Sequence, residues 1–238
     1  QEPLRKIQAF SDGLQSRLAA QLDDSSRDYL QRMGDAALRM QTLIDDLLAY
    51  SRVGTRSAAL VPVDLSAELA TVLDDLDARI QEAGAQIDAG RLPTLDADPT
   101  QMRQLMQNLL ANALKFRAPD RPCRIVVSAR PLGEAGITTE RWEITVQDTG
   151  IGFDPSYAER IFAPFQRLHP RNVYPGTGIG LAIVRRIVER HGGTVHAEGR
   201  SGEGARFVVV MPARAVAGQA REAPDAPLSS RDLPGASS

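Results

Sequence analysis

The chain has 238 residues, 42% hydrophobic and 24% charged, with a formal net charge of −2, an ordinary globular composition with room for one sizeable domain and a smaller one. That charge balance gives no electrostatic reason to expect nucleic acid or an anionic membrane as partner. The single cysteine, Cys123, excludes an intrachain disulfide and fits a reducing, cytoplasmic compartment. No apolar run approaches membrane-spanning length, no signal peptide precedes Gln1 and no initiator Met is present, so the sequence reads as an excerpt from something longer.

Leu4, Ile7, Leu14, Leu18 and Leu22 keep a heptad-like rhythm with Ser11 at one inward position. Leu30, Met33, Ala37, Met40, Ile44 and Leu47 repeat it after a polar turn expected at Asp23 to Arg27. Two helices with such narrow seams cover their own apolar stripes poorly. Pairing with a second copy into a four-helix bundle is therefore expected, the alternative being a monomeric hairpin packed on the following domain. Val53 to Ser57, with Gly54 and small polar residues, is the candidate linker.

Leu60 to Leu65 then reads as a strand, Ser66 to Ala83 as a helix ended by Gly84, and Ala85 to Leu95 as one or two short strands with a turn. In Met102 to Phe116 the residues Met102, Leu105, Met106, Leu109, Ala113 and Phe116 recur at helical spacing. Asp98 can cap that helix, and Pro99 falls at its first position, where a missing N–H costs nothing. Asn108, Asn112 and Lys115 form one stripe beside the apolar face. Two Asn in mid-helix cost roughly 0.5 kcal/mol each relative to Ala. They make either a solvated face or a site where an amide oxygen holds Mg²⁺ and the ammonium meets phosphate.

Arg124 to Ala129 and Trp142 to Gln147 alternate as strands, joined by a turn near Gly133 to Gly136. Gly178 to His191 is a third amphipathic helix stopped by Gly192-Gly193, and Thr194 to Glu198 with Arg206 to Met211 form a closing hairpin. Ala213 to Ser238 lacks periodicity and reads as a disordered tail or linker. Without a βαβ rhythm, the order of elements favours an α+β fold with helices on one face of a mostly antiparallel sheet.

Two glycine motifs flank an irregular segment. Asp148-Thr149-Gly150-Ile151-Gly152 ends a strand, where Asp148 projects a carboxylate that the exocyclic amine of adenine would satisfy; a tight turn capped by Asp is the alternative. Gly176-Thr177-Gly178-Ile179-Gly180-Leu181 opens a helix, where free N–H groups suit phosphate. Between them, Phe153 to Pro175 looks like a mobile lid with Phe162, Phe165 and Tyr174 as aromatic anchors.

In this order, NLLANALKF, DTGIGF, IFAPFQRLH and PGTGIGLAIVRRIVERHGG resemble the N, G1, F and G2 boxes of sensor histidine kinases, similar to the kinase cores found behind PAS or phytochrome-type sensor modules. QEPLRKIQAF and DDLLAYSRV resemble the two dimerisation helices. The resemblance implies an antiparallel helical hairpin over 1–56 that forms a four-helix bundle as a homodimer. It implies an α/β-sandwich ATP-binding domain of Bergerat type over 57–213, with 214–238 as the tail.

By the same resemblance Asn112 binds Mg²⁺ and Asn108 supports that site, Lys115 and Arg167 reach the phosphates of ATP, and Asp148 reads the adenine. Gly150 and Gly152 line its pocket, and Gly176, Gly178 and Gly180 shape the lid hinge beside Leu181, a further nucleotide-binding residue. The implied reaction is transfer of the γ-phosphoryl from MgATP to a histidine on the first helix, for relay to an aspartate of a response-regulator receiver domain under control of an upstream sensor module. A non-catalytic nucleotide-binding scaffold and an ATPase switch of the same fold are the alternatives; switches of that fold place a glutamate where this chain has Asn108, and an amide cannot activate water as a base.

Two departures stand out. Ala205 replaces a threonine often found after Gly-x-Gly, removing a hydroxyl near the adenine. Pro3 matches a proline five residues after the acceptor histidine, so that histidine is expected before Gln1.

Overall fold

The computed structural model describes residues 2–18, 22–55, 59–133, 141–170, 173–174 and 176–214. It opens with a helical hairpin of α1 (Glu2–Arg17) and α2 (Asp24–Thr55). The polar stretch expected to be the turn is instead the first turn of α2. Asp23 Oδ1 accepts the Ser26 N–H at 2.7 Å, satisfying an orphan donor at the helix start as Asp does well. The helices approach closely at Ser11, which is buried and donates to Leu30 O at 2.7 Å. A Cβ on Gly34 would stand only 3.6 Å from its Oγ.

Phe10 and Leu14 of α1 and Tyr29, Met33, Met40, Ile44 and Leu47 of α2 remain exposed, Phe10 by 68%. The hairpin thus carries an uncovered apolar stripe, as its narrow seams foretold.

The rest of the chain runs β1 (Val61–Asp64), α3 (Leu65–Asp75), α4 (Asp77–Ala83), β2 (Gln86–Ala89), β3 (Thr94–Ala97), α5 (Pro99–Lys115), β4 (Arg124–Leu132), β5 (Arg141–Asp148), α6 (Gly180–Arg190), β6 (Thr194–Arg200) and β7 (Gly204–Pro212). Five strands form one sheet in the order β2-β4-β5-β7-β6; only the β2–β4 pair is parallel. β1 and β3 form a separate antiparallel pair. Helices α3, α5 and α6 cover one face of the large sheet. Leu69, Val72, Met102, Leu109, Ile183 and Ile187 meet Ile125, Val127, Ile144, Val146, Phe207 and Val209 there, all buried. On the other face Arg130 grips Glu143 through two bonds of 2.7 and 2.8 Å.

Three expectations need correction. The candidate linker at Val53 to Ser57 is helical through Thr55, and Val53 is buried. Its carbonyl accepts from Arg190 Nη1 of α6 at 2.6 Å, which caps the helix end. The single helix expected from Ser66 to Ala83 is broken at Leu76, which turns into the core at 3% exposure; the flanking Asp74, Asp75 and Asp77 are weak helix formers that do not resist the break. Phe162 is a core residue, edge-on to Phe207 with ring centroids 6.5 Å apart, so the lid starts after it. Most of the turn near Gly133 to Gly136 and of the tail after Ala213 lies outside the described residues.

Candidate nucleotide site

Asp98 caps α5 by accepting the Thr100 and Gln101 N–H groups at 3.0 and 3.2 Å, with Pro99 at the first helical position. The cap sets the start of α5, burial of Met102, Leu105, Met106, Leu109 and Ala113 sets its inward face, and Asn108, Asn112 and Lys115 all fall on the wall of one cavity of about 390 Å³. Asn108 spends its amide N–H on Gln104 O at 2.8 Å. Its Oδ1 points at the start of α6, where a Cβ on Gly180 would come within 2.8 Å of it. Asn112 is half-buried on the same wall. Lys115 Nζ sits 4.4 Å from the Phe116 ring centroid, and burial, aided by the cations of Arg167 and Arg79, lowers its pKa to about 8.

Asp148 closes the far end of β5 and is 6% exposed. Burial raises its pKa to about 6, against two backbone donors that favour the carboxylate. Both donate to Oδ1, Gly150 N at 2.8 Å and Ala205 N at 3.3 Å, leaving Oδ2 without a protein donor among the described residues. The backbone of Ala205 thus supports Asp148 even though its side chain offers no hydroxyl.

The glycines do separate jobs. Gly152 lines the cavity at φ 63°, and a Cβ there would fall 1.9 Å from Arg200 O. Gly150 stands behind Asp148 rather than in the lining, with a Cβ position 2.3 Å from Phe116 O. Gly176, Gly178, Gly180 and Leu181 all line the cavity. Arg167 also lines it but donates to the carbonyls of Gly176 and Tyr174, bracing the lid from within. Phe116, His169 and Tyr174 form an aromatic trio with centroids 5.1 to 5.9 Å apart.

Sequence reasoning missed Arg79 of α4 and Thr42 and Asp46 of α2, which complete the wall. No motif surrounds them, and only their place in the fold brings them in. Asp46 accepts a hydrogen bond from Thr177 Oγ1.

An acceptor end in a buried carboxylate, two amides, a basic side and backbone close enough to exclude any Cβ suit a nucleotide. A site for metal held by protein alone is not evident: among the described residues no three of His, Cys, Asp or Glu cluster. The amides of Asn108 and Asn112 fit a Mg²⁺ ion that takes most of its oxygens from phosphate and water.

Residues 97–215 match the family described as histidine kinase-, DNA gyrase B-, and HSP90-like ATPase, and residues 1–56 match the His Kinase A (phospho-acceptor) domain. The chain belongs to that ATPase family. With both domains in this order it is a sensor histidine kinase core. It is 42% identical over 93% of its length to Cyanobacterial phytochrome A of Nostoc sp. and 40% identical over 89% to Phytochrome-like protein Cph1 of Synechocystis sp.. It spans only 28% and 27% of those two proteins. Among solved structures, full-length ShkA in complex with AMPPNP matches 92% of this chain and 45% of its own at 29% identity and TM-score 0.64. ThkA in complex with response regulator protein TrrA matches 89% of this chain and 59% of its own at TM-score 0.61 and 20% identity, a likeness of fold.

Proposed function

We propose that the chain binds MgATP and transfers its γ-phosphoryl to a histidine on the dimerisation hairpin, for relay to a response-regulator aspartate. One observation carries this reading: the cavity that gathers Asn112, Lys115 and Asp148 is walled on another side by Thr42 and Asp46 of the hairpin. The antiparallel register, set by Ser11 against Leu30 and Gly34, pairs earlier residues of α1 with later residues of α2. A helical continuation before Glu2 therefore comes level with the Thr42–Asp46 turn, beside the cavity. That is where the acceptor histidine is expected.

In this reading Asp148 Oδ2 accepts from the adenine amine, and the Phe116–Tyr174 pair offers the base an aromatic wall. Asn112, with Asn108 behind it, holds Mg²⁺, which supplies charge neutralisation to the phosphates. Lys115 contributes a cation to the cavity wall, and Arg167 holds the lid in place. As the imidazole nitrogen bonds to the γ-phosphorus, the bond to the bridging oxygen breaks and ADP leaves. Such a transfer has a loose transition state, so positioning and charge neutralisation carry most of the rate.

The exposed stripe of Phe10, Leu14, Met33, Met40, Ile44 and Leu47 supports a homodimer that closes the four-helix bundle. The complex of ThkA with TrrA and the phytochromes among the relatives support a receiver domain and an upstream sensor module as partners. Among the described residues no helix is long and apolar enough to cross a membrane, and one free, buried thiol fits the cytoplasm. Titration with an ATP analogue, with and without Mg²⁺, tests the binding step: metal-dependent affinity is expected, and none in either condition would refute it.

A further inference from the structure

The last third of α2 touches the ATP-binding domain at Asp46, Tyr50 and Val53, spaced i, i+4 and i+7 along one helix face. Arg186 of α6 lies over the Tyr50 ring at 4.7 Å, and Arg190 donates to Val53 O at 2.6 Å. These two contacts join one rigid helix to another. The third is different in kind. Thr177, whose hydroxyl donates to Asp46, lies in the hinge between lid and α6, flanked by Gly176 at φ 143° and Gly178 at φ 81°. The same Oγ1 accepts the Ile179 N–H at 3.3 Å, fixing the hinge conformation at the helix start.

Asp46 and Thr177 both line the nucleotide cavity. The bundle therefore inserts a half-buried carboxylate into a space whose cations are Lys115, Arg79 and Arg167, and whose proposed ligand is a polyanion. In a partly water-excluded cavity, like charges oppose one another far more than in bulk solvent.

We propose that Asp46 is a positioning residue that senses the charge of the bound nucleotide. In the free chain it holds the lid hinge through Thr177 and docks α2 on the domain; a nucleoside triphosphate opposes its carboxylate and releases both. The inference rests on the nucleotide reading above. Linkage makes the coupling reciprocal: whatever the triphosphate does to the Asp46 contact, that contact does to triphosphate affinity. The released hinge and domain then reposition next to the level of the hairpin where the acceptor histidine is expected.

The test compares the whole chain with Asp46→Asn and Thr177→Val, using ATP analogue, ADP and adenosine. Asp46→Asn keeps the shape and an acceptor for Thr177 but loses the charge, so triphosphate affinity rises at least about fivefold, ADP affinity rises less, and adenosine affinity stays the same. In wild type, amide hydrogen exchange over residues 46–53 speeds up with ATP analogue but not with adenosine. Thr177→Val shows the faster exchange without nucleotide, because the latch has lost its donor. Unchanged triphosphate affinity in Asp46→Asn, or an equal gain for adenosine, overturns the charge sensor while leaving the nucleotide site standing. No binding of any of the three ligands to wild type overturns the nucleotide reading and the sensor with it.

Discussion

The backbone N–H of Asp98 donates to Nε2 of His191 at 3.1 Å, while Nδ1 of the same ring lies 2.7 Å from the Ile187 carbonyl. An accepting Nε2 and a donating Nδ1 define a neutral imidazole protonated on Nδ1. Burial lowers its pKa below the usual histidine range. A cation at the end of α6 is what the helix dipole alone predicts, but this ring is a buried bolt. It fixes the N-cap of α5 to the C-terminal turn of α6, the two helices that carry Asn112 and Gly180.

Stability follows from that bolt. The unfolded chain takes up a proton at this histidine near pH 6.5 and the folded chain only at lower pH, so stability is full above about 6.5 and falls as pH drops below it. Asp148 acts in the opposite sense in the ligand-free chain. Its folded pKa of about 6 exceeds the ordinary 3.8, so acid stabilises it. Urea unfolding in an Asp148→Asn background removes that opposing effect. There, stability should fall between pH 7.5 and 5.5 by at most about 1.4 kcal/mol per unit, and adding His191→Phe should flatten the slope. A flat profile before that second change would contradict the neutral-ring assignment.

Nucleotide affinity should be bell-shaped in pH. Asp148 loses its acceptor charge as pH falls through about 6, and Lys115 loses its cation as pH rises through about 8. Calorimetric titration of an ATP analogue from pH 5 to 9 checks this. Asp148→Asn should remove much of the acid limb and Lys115→Met the alkaline limb; constant affinity across the range in wild type would refute both roles.

Asp148→Asn and Asn112→Asp should fail differently at pH 7.5. The first places an amide where, in the proposed site, the adenine amine needs an acceptor, and a lost hydrogen bond of this kind costs about 1–3 kcal/mol, or about 5- to 150-fold in affinity. Its effect should be the same for adenosine and for ATP. The second adds negative charge beside the phosphates, so it should weaken ATP more than adenosine and respond to Mg²⁺. Equal affinities of wild type and Asp148→Asn for adenosine would remove the adenine assignment.

Much of this site is legible in the sequence. The Asp98-Pro99 cap and the helical spacing of Met102, Leu105 and Leu109 set the face of α5, and with it the stripe of Asn108, Asn112 and Lys115. Arg79, Thr42 and Asp46 were not legible, because each reaches the cavity only through the packing of distant helices. Local composition misled where tertiary contacts override it. Gly54 suggested a linker, but Val53 is buried and Arg190 caps the helix end there. The neutral, buried role of His191 is not legible either, because nothing local reveals the N–H of Asp98, 93 residues away.

Gly152 and Gly202 both have positive φ, 63° and 83°, but only Gly152 is crowded, with its Cβ position 1.9 Å from Arg200 O and open space around that of Gly202. Alanine at Gly202 should cost about 1–2 kcal/mol, the left-handed penalty alone. Alanine at Gly152 should cost at least about 3 kcal/mol, because backbone must also move, and should lower nucleotide affinity. Thermal unfolding of both variants checks the order, and equal losses would contradict the close approach of Gly152 to the Arg200 backbone.

Phosphoryl transfer to a histidine on the hairpin is the central claim, and radiolabelled ATP tests it most directly. The chain's three histidines, His169, His191 and His196, all lie beyond the hairpin, in the lid, at the end of α6 and on β6. Gln1 to Ser238 alone should therefore take no acid-labile, base-stable label. The chain extended upstream by about ten residues, roughly three helical turns, should take it, and replacing the restored histidine should abolish it. Label on Gln1 to Ser238 that disappears on replacing any one of His169, His191 or His196 would contradict both the register and the mechanism.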